Sequence, residues 1–276
     1  MSAISSPSDG PPPPPAVNRR RWWFHLILIS AYVLAVGAFG WGRSASRMPV
    51  LSHKAGGLLV ACSLELAIFG IVLGLACIAS RPSRDDLLLR WRGKFSPVLL
   101  GVGYSVALRL AVGIFVVAVS TVLIATRAMS PDSLEHFATS NQPDVQAVVD
   151  VAALRDNPAY FWLVITVVSF VVAGLREELW RAAFLAGTKA LWPKRFGSRA
   201  GQIGAVAIAS VIFGLGHMAM GPIAVCMAGL LGFGLGLIMV LHRSVWPAVF
   251  AHGMFDATSM ALIPWVMEIL KQATPR

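Results

Sequence analysis

The sequence predicts an all-α protein, a polytopic transmembrane bundle of seven helices or of eight. Three observations predict this class. Hydrophobic residues make up 57% of the 276 positions and charged residues only 13%, whereas soluble domains carry roughly 25% charged residues. The mean hydropathy is +0.71. The apolar residues are also gathered into stretches that approach the roughly 20 residues a helix needs to cross a bilayer.

Seven apolar stretches give the helix count, in order along the chain. They lie near residues 22–42, 56–80, 98–126, 159–187, 201–217, 222–241 and 246–270. The fifth stretch is short for a full crossing. The fourth is long and carries charge, so an eighth helix split from it also fits the pattern.

The chain divides into four regions by composition. The N-terminal region is rich in Ser, Pro and Gly and contains an uninterrupted proline run, so we predict a disordered cytoplasmic tail. The next region holds the first three helices, an acidic extracytoplasmic loop follows, and the remaining helices form a core that carries three polar clusters. These regions cover residues 1–20, 21–127, 128–158 and 159–276.

The distribution of Lys and Arg predicts the side of the membrane that each loop faces, because short cytoplasmic loops are enriched in these residues. The first apolar run is too long for a signal-peptide core, so we expect an uncleaved helix. The basic loop between the second and third helices then faces the cytoplasm, and loop 128–158 faces outside. We expect an integral protein of a bacterial plasma membrane, with its N-terminus in the cytoplasm. Three arginines precede the first helix, Arg19, Arg20 and Arg21, and three basic residues of the first loop break the rule, Arg43, Arg47 and Lys54.

The net charge of +10 does not indicate a nucleic-acid-binding protein. The positive residues are spread over loops rather than gathered on one face with stacking aromatic side chains. Membrane lipids are the expected surroundings, and no nucleic-acid partner is expected. The three cysteines lie within apolar runs and lack the short spacing of a disulfide framework or a thiolate metal site.

Contacts between helices are also indicated by the sequence. Glu65 and Arg109 lie in the second and third helices, where an isolated charge is costly, so we expect them to pair across the bundle. Small residues at spacings of four allow helix backbones to approach closely in lipid. Such stripes occur in the second and sixth helices, as Gly70 with Gly74 and as Ala228 with Gly232 and Gly236.

Three polar clusters lie in the C-terminal core. They are Glu177 and Glu178 with Arg181, Phe213 with His217, and His252 with Asp256. Residues four apart in a helix share a face, so the two members of a pair can act in one small volume. Taken singly, each cluster is also explained by polar groups that pair at a helix end. The three together indicate a functional site, because ionisable groups in spanning helices are costly.

The order and type of these clusters resemble the CAAX-protease and bacteriocin-processing family of intramembrane proteases. That family has a Glu-Glu pair followed by Arg, then Phe-x-x-x-His, then His-x-x-x-Asn or Asp, on separate helices. The second and third patterns match in full, and the resemblance covers about residues 160–270. It implies an endopeptidase that cleaves a membrane-associated or prenylated peptide or protein. The site residues it implies are Glu177, Glu178, Arg181, His217, His252 and Asp256.

One spacing departs from the family pattern. The family has three residues between the second Glu and the Arg, whereas only two separate Glu178 from Arg181. In an alignment on the glutamates, Ala182 takes the place of the arginine. In an alignment on Arg181, Arg176 replaces the first Glu. We prefer the first alignment, since Arg181 follows Glu177 by four residues and can pair with it.

The resemblance implies that Glu177 and His217 activate a water molecule. His252 and Asp256 then either stabilise the developing oxyanion or complete a metal site. One chemistry uses a zinc ion bound by His217, His252 and Asp256, and the other is a metal-free mechanism with a glutamate base. An ionised Asp can bind a metal but cannot donate a hydrogen bond to an oxyanion, which favours the metal site.

These residues form one site only if they meet at the same depth in the membrane. If the fifth and sixth helices each cross fully, His217 lies near the outer face, and Glu177 and His252 lie near the cytoplasmic one. The predicted site therefore needs tilted or broken helices, which are tolerated where they line a cavity. Residues that allow such breaks are Gly214, Gly216, Gly221 and Pro222.

Two other classes of protein share these features. A non-catalytic scaffold or immunity protein of the same fold would bind a peptide without cutting it, and the shifted arginine is its best support. A small transporter could use intramembrane Glu and His residues as a proton relay. The hydrophobic segments form no convincing inverted repeat, so the transporter ranks last.

Overall fold

The computed structural model describes residues 18–45, 52, 54–145 and 149–273. Most of the predicted disordered tail, residues 1–17, and Arg47 of the first loop lie outside the described residues. Within the described ranges the chain forms helices and no β-strand. The predicted all-α membrane bundle is confirmed.

The elements follow one another along the described chain as helices, one π-helical segment and one 3₁₀ turn. They are α1 (Arg19–Ala45), α2 (Ala55–Ser80), α3 (Ser96–Ala125), α4 (Pro131–Ser140), α5 (Val151–Asp156), α6 (Pro158–Leu163), the π-helical segment (Val164–Glu177), α7 (Glu178–Leu191), α8 (Pro193–Phe196), α9 (Arg199–Leu215), the 3₁₀ turn (Met218–Met220), α10 (Pro222–His242) and α11 (Trp246–Ala273).

Five helical stretches of the described chain are long and apolar enough to cross a membrane. All seven predicted stretches are helical, but α9 has only 17 residues and α11 is not among the five. The long fourth stretch is one continuous helical run rather than two spans. The five stretches are Arg19–Gly42, Ala55–Ser80, Ser96–Ala125, Pro158–Leu191 and Pro222–His242.

Helix packing brings the N-terminal half of the chain against the core that carries the polar clusters. α1 packs on α2 and α7, α11 packs on α3 and the π-helical segment, and α9 packs on α10. The Trp180 indole of α7 donates a hydrogen bond to the Ile29 carbonyl oxygen of α1 at 2.8 Å. Trp180 also stacks on Phe213 of α9, with ring centroids 6.4 Å apart. α1 therefore shares a core with α7 and α9.

The segment before α7 is a π-helix rather than an α-helix. A π-helix bonds each N–H to the carbonyl five residues back, and π-helical turns are found frequently at functional sites. The segment packs on α11, and Gly174 permits this contact, because a Cβ here would lie 2.9 Å from the Val249 carbonyl oxygen. It ends at Glu177 and α7 begins at Glu178. The helix type therefore changes between the two glutamates.

The chain breaks between α9 and α10, as the predicted site requires. α9 ends at Leu215, and His217 precedes the 3₁₀ turn. Gly221 has a φ of 95°, a conformation that glycine adopts without a steric penalty. Pro222 then occupies the first turn of α10, where its missing N–H costs no helical hydrogen bond. The break leaves His217 outside regular helix.

The predicted pair between Glu65 and Arg109 is wrong. Arg109 donates hydrogen bonds to the Ser105 hydroxyl and to the Phe255 carbonyl oxygen, each at 2.6 Å. Glu65 pairs with Arg176 instead. Each charge does find a partner in the bundle, but the helix that supplies it is not the one the sequence suggested.

Only one of the two predicted small-residue stripes provides close contact. In α10, a Cβ at Gly232 would lie 2.8 Å from Phe213 Cδ1, and a Cβ at Gly236 would lie 3.3 Å from Arg181 Cδ. These glycines make room for the side chains of the site. In α2, an added Cβ would meet no atom of the described chain within 4 Å at either stripe position, Gly70 or Gly74.

Candidate active site

A cavity of about 390 Å³ lies where α1, α2, the π-helical segment, α10 and α11 meet. Four of the six predicted site residues line it, namely Glu177, His217, His252 and Asp256. Most of the other lining residues are Val, Ala, Met and Leu. The volume falls within the roughly 300–1,000 Å³ of small-ligand pockets. The cavity can therefore hold part of a ligand next to the polar groups.

Glu178 lies behind the cavity wall and is fully buried. Its Oε2 pairs with the Arg181 guanidinium. Its Oε1 lies 2.9 Å from Nδ1 of His252, and a carboxylate can only accept in such a contact. Nδ1 of His252 is therefore the donor, and Glu178 fixes the orientation of the ring.

Nε2 of His252 is the nitrogen that is left for the cavity. It lies 3.8 Å from Glu177 Oε2 and 3.7 Å from Asp256 Oδ2. These distances exceed those of hydrogen bonds, so both carboxylates act on the ring through their charge. Three carboxylates surround this one imidazole when Glu178 is included, and they favour a ring that carries a proton on each nitrogen.

His217 reaches the cavity from the break after α9. Its Nδ1 lies 2.9 Å from the Phe213 carbonyl oxygen, which can only accept, so Nδ1 carries the proton. In a neutral imidazole the other nitrogen, Nε2, is then an acceptor. The Phe213 ring contacts both histidines, with centroid distances of 4.7 Å to His217 and 6.2 Å to His252. This ring forms an apolar contact between the two imidazoles.

Three further polar residues join the site, and none of them is among the six predicted site residues. Arg176 is buried, and its guanidinium pairs with Glu177 and with Glu65 of α2. It also donates a hydrogen bond to the Tyr32 hydroxyl of α1 at 3.2 Å. The isolated acid in an apolar helix was the signal for Glu65, because such a group requires a partner. The sequence pattern does not identify that partner.

The predicted pair between Arg181 and Glu177 is wrong. Arg181 pairs with Glu178, three residues before it, and Glu177 pairs with Arg176. Residues three apart are neighbours on a helix, as residues four apart are. Arg181 therefore reaches the second glutamate of the pair despite the shortened spacing, and Ala182 has no such role.

The Arg181 guanidinium is fully buried, and two of its nitrogens, Nε and Nη2, have no hydrogen-bond partner among the described residues. The group lies over the Phe213 ring, with Cζ 4.8 Å from the ring centroid. A guanidinium over an aromatic face gains a favourable cation–π interaction. Phe213 thus contacts Arg181 as well as both histidines.

The predicted zinc ligands, His217, His252 and Asp256, all line the cavity, and the zinc site stays a prediction. Within the described ranges, no three His, Cys, Asp or Glu side chains are arranged so that they could hold a metal ion. Nδ1 of His252 is engaged by Glu178 and Nδ1 of His217 by a carbonyl oxygen, so each ring keeps Nε2 for the cavity. Histidines that bind a metal usually make such a hydrogen bond with their other ring nitrogen, so these two contacts do not count against zinc, and the mechanism proposed for the site relies on the chain's own groups.

Comparison with known proteins supports the resemblance read from the sequence. Residues 158–258 match the profile of the family described as "Type II CAAX prenyl endopeptidase Rce1-like". No curated protein and no solved structure matches the chain. The match spans all six predicted site residues and agrees with the suspected family over this range. It supports a CAAX-protease-like membrane enzyme with a peptide or protein substrate.

Proposed function

Because residues 158–258 match the type II CAAX prenyl endopeptidases, we propose that this protein is an intramembrane endopeptidase. It hydrolyses a peptide bond in a membrane-associated or prenylated substrate. The observation that carries the proposal is the shared cavity, to which Glu177, His217, His252 and Asp256 all contribute. These groups come from three separate stretches of the chain and meet next to an apolar wall.

Glu177 and His217 activate the water molecule in this proposal. Both residues line the main cavity and also a smaller one of about 50 Å³ beside it. The hydrogen bond from His217 Nδ1 to the Phe213 carbonyl oxygen leaves Nε2 as an acceptor for a water hydrogen. The Glu177 carboxylate accepts the other hydrogen and is the general base.

His252 stabilises the oxyanion that forms on the substrate carbonyl. Its Nδ1 is held by Glu178, so an imidazolium would present Nε2–H to the cavity. Preorganised donors of this kind are worth about 3–4 kcal/mol of transition-state stabilisation. Asp256 and Glu178 favour the charged ring and are not themselves donors to the oxyanion. Arg181 balances the charge of Glu178 behind the wall.

The proton and bond changes balance without a co-reactant. An O–H bond of water breaks, the proton moves to Glu177, and the oxygen bonds to the carbonyl carbon. When the tetrahedral intermediate collapses, the C–N bond breaks and the departing amine takes the proton from Glu177. The carboxylate is then ready for another turnover.

The test is cleavage by the purified, detergent-solubilised protein of a quenched fluorescent peptide that ends in a prenylated CAAX sequence. We expect Glu177→Gln, His217→Ala and His252→Ala each to lower kcat by about 10²–10⁴-fold, the range found for loss of a general base or of an oxyanion donor. Two exposed residues provide matched controls, Glu268→Gln and His136→Ala. Both controls should retain wild-type rates.

The same assay distinguishes the alternatives. Cleavage that survives both histidine substitutions would overturn the proposed site. Binding of the peptide without cleavage by the wild-type protein would favour a scaffold. Elemental analysis and incubation with a chelator test the metal: activity lost on chelation and restored by zinc would replace the glutamate mechanism with a zinc mechanism. An unprenylated copy of the peptide shows whether the lipid is required.

A further inference from the structure

The cavity is completed by residues outside the segment that matches the family. Glu65 of α2 and Tyr32 of α1 both contact Arg176, and Arg176 contacts Glu177. We propose that Glu65 and Tyr32 are positioning residues that hold the catalytic carboxylate of Glu177 through Arg176. The inference rests on the proposed function, because it assigns Glu177 as the general base.

Arg176 is fixed at every part of its side chain. It lies in the last turn of the π-helical segment, and its Nε donates a hydrogen bond to the Val172 carbonyl oxygen at 3.0 Å. Nη1 contacts Glu65 and Tyr32, and Nη2 contacts Glu177. A guanidinium is a planar fork with donors at fixed angles. Its orientation therefore determines where the Glu177 carboxylate lies.

The arrangement gives Glu177 one held oxygen and one free oxygen. Oε1 contacts Arg176, while Oε2 lies 3.8 Å from His252 Nε2 on the cavity side. A glutamate side chain without such a partner would sample several rotamers and would adopt this orientation only part of the time. Holding a catalytic group in its productive geometry lowers the barrier, and a displacement of about 1 Å can cost roughly 10²-fold in rate.

Glu65 keeps the guanidinium shared between two carboxylates. Its side chain is 27% exposed and lines the cavity, whereas that of Arg176 is only 9% exposed. Without the charge of Glu65, Arg176 would be free to turn both of its terminal nitrogens toward Glu177. Oε2 of Glu177 would then be engaged by Arg176 and could no longer accept a hydrogen from the water molecule. The Tyr32 hydroxyl of α1 accepts a hydrogen bond from Nη1 of Arg176 and so also helps to keep the guanidinium from turning.

The alternative is that these residues only fasten α1 and α2 to the core. Such a role would affect unfolding but not the turnover of the folded enzyme. The measurement that separates the two is therefore the split between kcat and KM on folded protein. Glu65 and Tyr32 both contact Arg176, which contacts Glu177, so we expect a positioning role to lower kcat and to leave KM nearly unchanged.

The experiment compares Glu65→Gln, Glu65→Asp and Tyr32→Phe with Tyr104→Phe in the same cleavage assay. Tyr104 is the matched control, because its hydroxyl lies 2.8 Å from His242 Nε2 between α3 and α10, away from the cavity. We expect Glu65→Gln to lower kcat by about 10–100-fold and Tyr32→Phe by less, with KM within twofold. Glu65→Asp keeps the charge and should recover part of the loss. Tyr104→Phe should retain the wild-type kcat.

The outcomes for the inference and for the proposed function are distinct. If Glu177→Gln is inactive while Glu65→Gln and Tyr32→Phe keep the wild-type kcat, the positioning role is refuted and the protease stands. If Glu177→Gln cleaves normally, the proposed function itself fails. If Glu65→Gln does not fold, Tyr32→Phe decides, since it removes one hydroxyl and no charge. A kcat for Tyr32→Phe equal to that of Tyr104→Phe would then refute the inference.

Discussion

Glu178 supports two side chains at once. It is the anion for the fully buried Arg181 and the acceptor for Nδ1 of His252. Removing one partner of a buried ion pair leaves an uncompensated charge, which costs about 3–5 kcal/mol. Glu177 differs, because it lies on the cavity wall and Arg176 keeps Glu65 as a second partner.

We therefore predict that Glu178→Gln lowers the midpoint of thermal unfolding in detergent strongly, whereas Glu177→Gln lowers it little. Adding Arg181→Met to Glu178→Gln removes the unpaired guanidinium and should restore part of the stability. Both the single and the double variant should lose activity, because His252 then lacks the carboxylate that favours its charged form. An unchanged unfolding midpoint for Glu178→Gln would contradict the buried pair.

The chemistry-bearing residues could be chosen from the sequence, but their partners could not. Glu177, His217, His252 and Asp256 were identified by residue type and spacing, and they line one cavity. Arg181 and Glu65 were paired with the wrong residues. The identity of a partner depends on how helices rotate and pack against one another. The π-helical segment turns its side chains differently from an α-helix. No residue pattern in the sequence predicted this segment.

Among the helices, the π-helical segment and α11 determine the geometry of the site together. The segment ends in Glu177, and α11 carries His252 and Asp256. Their close approach depends on Gly174, whose added Cβ would lie 2.9 Å from the Val249 carbonyl oxygen. A backbone atom cannot yield as the tip of a side chain can. A larger residue would therefore separate the two elements.

We predict that Gly174→Ala destabilises the protein by about 1–3 kcal/mol and lowers kcat/KM at least tenfold. Gly113→Ala in α3 is the matched control, because its Cβ would meet no atom of the described chain within 4 Å. Alanine is the better helix former, so this control should be neutral or slightly stabilising. Unfolding midpoints and cleavage rates measure both effects. Equal behaviour of the two variants would show that the contact with α11 does not matter.

The helices themselves followed from the sequence because apolar length is a local property. The break between α9 and α10 was also predicted, since glycine and proline act locally. The close contact predicted for the glycine stripe of α2 is absent from the described chain, because such a contact is not a local property. A small residue permits a close contact, but only the packing of the whole bundle decides whether another helix comes to use it.

At the level of the whole molecule, the charged loops predict how the bundle lies in the membrane. The loop after α2 contains five basic residues, and the segment after α3 has an acidic bias. α3 separates these two segments, so they face opposite sides if it crosses the bilayer. By the positive-inside rule we expect the basic loop and the N-terminus to be cytoplasmic.

We predict that a cysteine introduced for Glu135 reacts with a membrane-impermeant maleimide in intact cells, and that one introduced for Arg92 reacts only after permeabilisation. Both positions are exposed. The parent for these variants replaces Cys62, Cys77 and Cys226 with alanine and should not be labelled. Labelling of the Arg92 position in intact cells, with protection of the Glu135 position, would show that the topology is the opposite of the predicted one.

The wide turns of the π-helical segment have a consequence for how such proteins are compared. A stretch with five-residue hydrogen bonding can tighten to ordinary four-residue bonding, and it then spans the same axial distance with fewer residues. By tightening in this way, the segment before Glu177 can accommodate the deletion of one residue nearby. The number of residues between two motif positions is therefore a poor criterion for deciding which residues correspond in related proteins. The three-dimensional pairing of Glu178 with Arg181 is the feature to compare.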